Sequence, residues 1–486
     1  MIGMIRHMTN SYTTSELLNL TEAQARQIAE NPELALWALL QLSALARENA
    51  EAEQPAASAP DPSTPSAMVA PYLKEQSKKK PKKPGRKAGH EGSRRAAPTR
   101  IDRREEHAFE RCPDCGGPLS SPKTRTRLIE DIEATRAVAT EHAIHSHWCS
   151  RCRKRVEPPV TQALPRSTVG NRALTLTSWL HYGSGQTTSQ IVDVLKHVFQ
   201  LPVSEGGLTQ MWKRAADELA PWYEEINQRA REAAVLNADE TGWRVNGQTY
   251  WLWCFTSKQE NITCYHIDKG RGSAVVREVL GEVFPGALVC DFYAAYNAIK
   301  ADRRQRCLAH FLRELKRVSL IVKSDQWVIF APIFKKLIKD ALRLGRRTDR
   351  DASDFLSKRD RLYKRLDALC DGIYTDHHTA RIIKRLARHR QEMFAFLHNP
   401  SIPADNNHAE REIRPAVIAR KNSFHNMSEN GARTQAVLMS IFRTLKLRGL
   451  DPITTIADAL AIRVAGGKLP ALPAAQQAGE RPPNSP

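Results

Sequence analysis

Val235-Leu-Asn-Ala-Asp239-Glu-Thr-Gly-Trp243 and Gly286-Ala-Leu-Val-Cys-Asp291 are the two stretches on which the fold of this chain turns. Each is a short apolar run carrying an aspartate, the pattern of a buried strand that delivers one acid to a polar site. Between them, Thr249 to Thr256 (TYWLWCFT) and Ile262 to Ile267 (ITCYHI) are aromatic and β-branched, as further strands would be. Ser273 to Phe284 then spaces Val275, Val276, Val279 and Leu280 at helical intervals. The expected order is β-β-β-α-β, with an acid inside the first strand and another closing the fourth.

That order is the plan of a ribonuclease-H-like mixed-sheet core. Neighbouring parallel strands set Asp239 and Asp291 side by side, where two carboxylates repel. Two Mg²⁺ (or Mn²⁺) ions, hard cations suited to oxygen ligands, relieve that repulsion. Ions about 3.5–4 Å apart activate an attacking oxygen on one side and steady a leaving oxygen on the other. A third carboxylate, from a helix, normally completes such a cage. Asp405-Asn-Asn-His-Ala-Glu410-Arg-Glu-Ile-Arg414 supplies it. Asp405 or Asn406 can cap the helix start, which puts Glu410 about one turn in. Arg411 and Arg414 flank it near a phosphodiester, and Arg420 and Lys421 extend the basic face.

The gap between Asp291 and Glu410 exceeds what the simple fold requires. Ile333, Leu337, Leu344, Leu362, Leu366, Leu369, Ile383 and Leu386 recur at helical spacing within it, so an all-helical insertion over about 325–398 is expected. Competing acids have specific objections. Glu240 adjoins Asp239 on the opposite strand face, Glu412 points elsewhere on its helix, and Asp302 replaces Asp291 only if the fourth strand is misread.

Working outward, a chain of 486 residues implies several domains, and 73 basic against 53 acidic residues leave a net charge of +20. That excess favours a polyanionic partner, because phosphates neutralised by Lys or Arg release counterions. No stretch approaches the roughly 20 apolar residues of a membrane span. The N-terminus lacks the apolar region of a signal peptide, and nine cysteines in such a chain read as thiols or metal ligands. A bacterial, cytoplasmic, nucleoid-associated setting is expected.

Residues 1–50 read as a helical region, with Thr21 and Gln24 forming a possible capping box; the helix either oligomerises or packs on its own domain. Residues 51–104 form a linker ending in a basic arm, where Lys79, Lys80, Lys82, Lys83, Arg86 and Lys87 can follow a phosphate strand. In 105–160, Cys112-Pro-Asp-Cys115 and Cys149-Ser-Arg-Cys152 are two knuckles that together fit a structural Cys₄ Zn²⁺ site. Ile129, Ile132, Val138 and Ile144 between them are expected on the strands of a zinc ribbon. Residues 167–232 read as helices, with Ser204 capping one that carries Leu208, Met211, Trp212, Lys213 and Arg214. Either a DNA-reading helix-turn-helix or a plain helical connector fits. Residues 233–430 hold the mixed-sheet core, and 431–486 a C-terminal helical segment and tail.

Over nearly its full length the chain resembles the insertion-sequence sixty-six family of bacterial DDE transposases. The resemblance is carried by Pro84-Gly-Arg-Lys-Ala-Gly-His90, the paired knuckles, Ala238-Asp-Glu-Thr241-Gly-Trp and Cys290-Asp-Phe-Tyr-Ala-Ala-Tyr296. It continues in Gln305-Arg-Cys-Leu-Ala-His-Phe311-Leu-Arg-Glu, in Asn406-Asn-His-Ala-Glu410-Arg-Glu-Ile-Arg-Pro and in Ala436 to Pro452. It implies a triad of Asp239, Asp291 and Glu410 and metal-dependent cleavage and joining of double-stranded DNA, at transposon ends and target. It further implies a homodimeric or larger synaptic complex and small accessory proteins from the same element. His310 lies within one motif, where a buried structural histidine is the expected reading. The rival readings are a domesticated or inactive zinc-ribbon DNA-binding protein and a related nuclease on the same fold.

Overall fold

The computed structural model describes residues 21–30, 35, 38, 98, 100–120, 125–130, 135–423 and 425–476. It divides into two units, Met1–Pro81 and Lys82–Pro486. The basic arm bearing Lys79, Lys80, Lys82, Lys83, Arg86 and Lys87 lies outside the described residues. In the first unit, helix α1 (Glu22–Ala29) begins at a reciprocal capping box. The Thr21 N–H donates to Gln24 Oε1 at 2.9 Å, and the Gln24 N–H donates back to Thr21 Oγ1 at 3.5 Å.

In the second unit, strands β1 (His147–Cys149) and β2 (Lys154–Val156) form a small antiparallel hairpin. Four helices follow: α2 (Asn171–Ser178), α3 (Thr188–Val198), α4 (Glu205–Glu218) and α5 (Ala220–Glu232). Ser204 caps α4 as the sequence led us to expect, accepting the Gly207 N–H at 3.1 Å. Leu208, Met211 and Trp212 of α4 are buried, and Lys213 is paired with Asp217 at 2.7 Å.

The main sheet is built from β3 (Val235–Val245), β4 (Gln248–Ser257), β5 (Ile262–Asp268), β6 (Val283–Cys290) and β7 (Lys300–Arg306), in the order β5-β4-β3-β6-β7. β3, β4 and β5 are antiparallel neighbours, whereas β6 runs parallel to both β3 and β7. Asn246 and Gly247 turn β3 into β4 with φ of 48° and 73°, the conformation that two-residue hairpins demand of Asn-Gly. Helix α6 (Ser273–Leu280) crosses over to β6 and stops at Gly281.

β7 was not expected. Its sequence, KADRRQR, has no apolar run, and a charged strand is tolerated because it lies on the sheet's edge. The opposite edge is covered instead. Helix α13 (Glu429–Leu447) supplies Ser440 Oγ and Thr444 Oγ1, which accept the Tyr265 and Thr263 N–H groups of β5 at 2.8 and 3.2 Å.

Two cores flank the sheet. Leu236 and Ala238 of β3 and Leu288 of β6 share one with α2, α4, α5, α13 and the last helix, α14 (Pro452–Val464). The other joins Val235, Ala287 and Val289 to α7 (Leu308–Ile321), α8 (Asp325–Leu344), α9 (Ser353–Cys370) and α10 (His377–Arg388). Helices α11 (Asn407–Glu412) and α12 (Arg414–Ser423) run between the helical insertion and α13. Among the described residues, no helix is long and apolar enough to cross a membrane.

Candidate functional site

The site begins with a glycine. A Cβ on Gly286 would lie 2.1 Å from the Ala233 carbonyl oxygen, so only glycine lets β6 approach the chain entering β3 this closely. The Ala287 N–H donates to Ala234 O at 2.9 Å, and the parallel ladder follows as Val235↔Ala287, Leu236↔Leu288 and Asn237↔Val289. The same offset carries Asp239 across from Asp291, on the sheet face that looks toward the helical insertion.

Asp291, just past the end of β6, is fixed twice. Its Oδ1 accepts the Tyr293 N–H at 2.8 Å, and its backbone oxygen accepts a hydrogen bond from Arg306 at 2.7 Å. Arg306 is fully buried and bonds Glu392 at 2.6 Å; Arg304 and His389 each reach the same carboxylate at 3.0 Å. Burial would push Glu392 up, but His389, Arg306 and Arg304 together hold it down at about 2.

Glu410 arrives on the first turn of α11. Asn406 sits at the cap position without a capping bond of its own, and Asp405 one residue earlier accepts the Asn407 N–H at 3.1 Å in a local turn. Asn406 does something the sequence did not reveal. Fully buried, it donates to the Ala238 carbonyl at 2.8 Å and accepts from the Asn237 side-chain amide at 2.9 Å, while its own N–H reaches Cys307 Sγ at 3.1 Å. The helix start is thereby tied to β3 at Asn237 and Ala238, next to Asp239. Glu410 itself meets Arg313 at 2.5 Å and lies 3.5 Å from His310 Nδ1, both on α7.

Burial, then Glu240, Asp291 and Glu410, raise the Asp239 carboxyl well above its ordinary range. Asp239 therefore lies in electrostatic reach of both Asp291 and Glu410, although among the described residues the three carboxylates do not form a group with ligand atoms within 4.8 Å of one another. Burial and Arg313 push the His310 imidazole below its usual value, and burial lifts the Cys307 thiol to about 11.

The competing acids are engaged elsewhere. Glu240, on the other strand face, accepts from Arg271 at 2.9 Å and from the Tyr296 hydroxyl at 2.7 Å; burial and Asp291 raise it to about 7. Glu412 is buried against Arg443, and Asp302 is exposed on β7. Of the basic candidates, Arg411, Arg414 and Lys421 are exposed. Arg420 is half-buried and spends its guanidinium on Thr241 Oγ1, at 3.1 Å, and on the Gly242 carbonyl.

The cysteines are arranged differently. Cys112 and Cys115 sit on a turn closed by the Gly116 N–H to Cys112 O at 2.8 Å, and the second knuckle sits on the β1–β2 hairpin. Backbone N–H groups lower Cys112 (from Asp114 and Cys115) and Cys149 (from Cys152), which favours thiolates. Among the described residues, no group of three or more possible ligands within 4.8 Å of one another includes these sulfurs. Among the described residues, the strands expected between the knuckles do not form before His147, and Ile129, Val138 and Ile144 are exposed. Ile132 lies outside the described residues.

A mixed sheet with one aspartate on a strand, another just past the end of the parallel strand beside it, and a glutamate on a nearby helix defines a carboxylate-centred α/β site. Residues 166–434 match the transposase IS66 family, and the chain belongs to that family. Two Sinorhizobium fredii (strain NBRC 101917 / NGR234) proteins are similar to it, both carrying names that call them uncharacterized. Protein y4qI is 26% identical over 300 residues, covering 54% of each chain. Protein y4jD is 29% identical over 197 residues, covering 38% of this chain and 39% of its own. The chain thus spans about half or less of the curated relatives it matches.

Proposed function

We propose that this transposase-family chain cuts and joins double-stranded DNA at a site formed by Asp239, Asp291 and Glu410 on a ribonuclease-H-like core. The observation that supports the reading is the rise of Asp239 by burial, Glu240, Asp291 and Glu410; the β3–β6 register, continued two residues past Asn237↔Val289, would set the two aspartates on one face. The sheet order β5-β4-β3-β6-β7, antiparallel on one side of β3 and parallel on the other, supports the core assignment. The donor set is all carboxylate oxygen, which fits two Mg²⁺ or Mn²⁺ ions. Bound there, such ions would supply charge neutralisation at the attacking and leaving oxygens.

The chain's own residues do the rest. Arg306 and the Tyr293 N–H hold Asp291 in place, and Asn406 holds α11 against β3. Arg313, Arg411 and Arg414 meet phosphate oxygens. In cleavage, a water oxygen bonds to phosphorus, the bond to the 3′-oxygen breaks, and a proton passes to the departing 3′-hydroxyl. In joining, that 3′-hydroxyl attacks a target phosphodiester and displaces another 3′-oxygen, with no covalent bond to the protein. The basic arm and helices α2–α4 would grip the transposon ends, in a homodimer or larger synapse with accessory proteins of the same element, at the bacterial nucleoid. Cys112, Cys115, Cys149 and Cys152 would hold a structural Zn²⁺ that orders the segment between arm and core.

Joining of a pre-cleaved end duplex to plasmid DNA in Mg²⁺ tests this. Asp239→Asn and Glu410→Gln should each lower joining by about 10³-fold or more while end binding in a gel-shift assay persists. Joining at the wild-type rate in either variant would refute the reading.

A further inference from the structure

His310 is left with no task by the mechanism above, yet its position is specific. It lies in the first turn of α7, and its Nδ1 is shielded from solvent without a hydrogen-bond partner. That nitrogen is 3.5 Å from Glu410 Oε1. Cys307, His310 and Glu410 place one ligand atom each within 4.8 Å of one another. We propose that His310 Nδ1 and Glu410 share one divalent ion, making this end of the carboxylate site a mixed nitrogen–oxygen centre. The inference rests on Glu410 holding an ion, as argued above.

Metal bonds to imidazole nitrogen and carboxylate oxygen are about 2 Å long, so donors 3.5 Å apart suit adjacent positions on one ion. Cys307 stays behind them, because its sulfur already accepts the Asn406 N–H at 3.1 Å. Arg313, the cation now on Glu410, is half exposed and can turn to a phosphate when an ion takes its place. The other histidine near the triad's helix, His408, is engaged by Thr256 Oγ1 at 3.1 Å. An imidazole in the ligand set also shifts preference from Mg²⁺ toward transition-metal ions.

The test uses the full-length chain and Mn²⁺ alone, read by pulsed electron paramagnetic resonance. Wild-type protein should show ¹⁴N modulation from a bound imidazole, which ¹⁵N-histidine labelling converts to the ¹⁵N pattern. His310→Gln should lose the modulation and bind Mn²⁺ about tenfold or more weakly. The labelled wild type keeps the test valid if that variant does not fold. Mn²⁺ bound without histidine coupling, or coupling that survives in His310→Gln, overturns the shared ion and leaves the carboxylate site standing. Failure of Mn²⁺ to bind the wild type overturns both.

Discussion

The acids of the sheet and the cysteines upstream of it are held in opposite ways. Asp239, Asp291 and Glu410 are placed by elements far apart in sequence and locked by buried polar contacts: Gly286 setting the register, Asn406 bridging to Asn237 and Ala238, Arg306 holding Asp291. Among the described residues, the two cysteine knuckles are shaped by local turns and a hairpin of two three-residue strands, with exposed apolar residues between them. Packing holds the elements that carry the acids, whereas the proposed zinc would have to join the halves of the second.

The contrast can be broken most forcefully at Glu392. Removing its charge leaves Arg306 buried beside Asp291 without its carboxylate partner. Glu392→Gln should lower stability at pH 7 by about 3–5 kcal/mol in urea unfolding. Because Glu392 titrates lower when folded, its contribution is present above its ordinary value of 4.5 and is lost as pH falls from there through about 2. The gap between wild type and variant should therefore narrow on acidification. A gap that is small at pH 7, or that widens in acid, would mean the Asp291 scaffold does not rest on this network.

The smallest effect on the core is expected at the knuckles. Cys112→Ser combined with Cys149→Ser should abolish bound zinc in elemental analysis. The sheet's unfolding free energy should move by no more than about 0.5 kcal/mol, as for changes outside a packed core. Zinc retained in the double variant would remove the metal assignment, and a loss comparable to Glu392→Gln would show that the knuckles are packed into the core.

What could be seen in the sequence divides along the same line. Local signals were legible: the apolar runs of β3 and β6 with their aspartates, the caps at Thr21 and Ser204, and the helical spacing of the insertion. Strand β7 was not, because KADRRQR carries neither alternation nor β-branched residues. Nor were the ties at Asn237–Asn406 and Arg306–Glu392, since buried polar pairs from distant segments leave no periodic trace. The expected cap also needed the structure: Asn406 holds the cap position but spends its side chain on β3, and Asp405 only closes a local turn before it.

The proposal that Asp239, Asp291 and Glu410 form one cation site is tested most directly by thermal unfolding with and without Mg²⁺. Wild-type protein should gain about 2.7 kcal/mol when Mg²⁺ stands at a hundredfold its dissociation constant. Asp239→Asn should lose that gain, and without Mg²⁺ should be at least as stable as wild type, because a repelling charge is gone. Equal stabilisation of both proteins by Mg²⁺, or a metal-free Asp239→Asn protein that unfolds well below wild type, would contradict it.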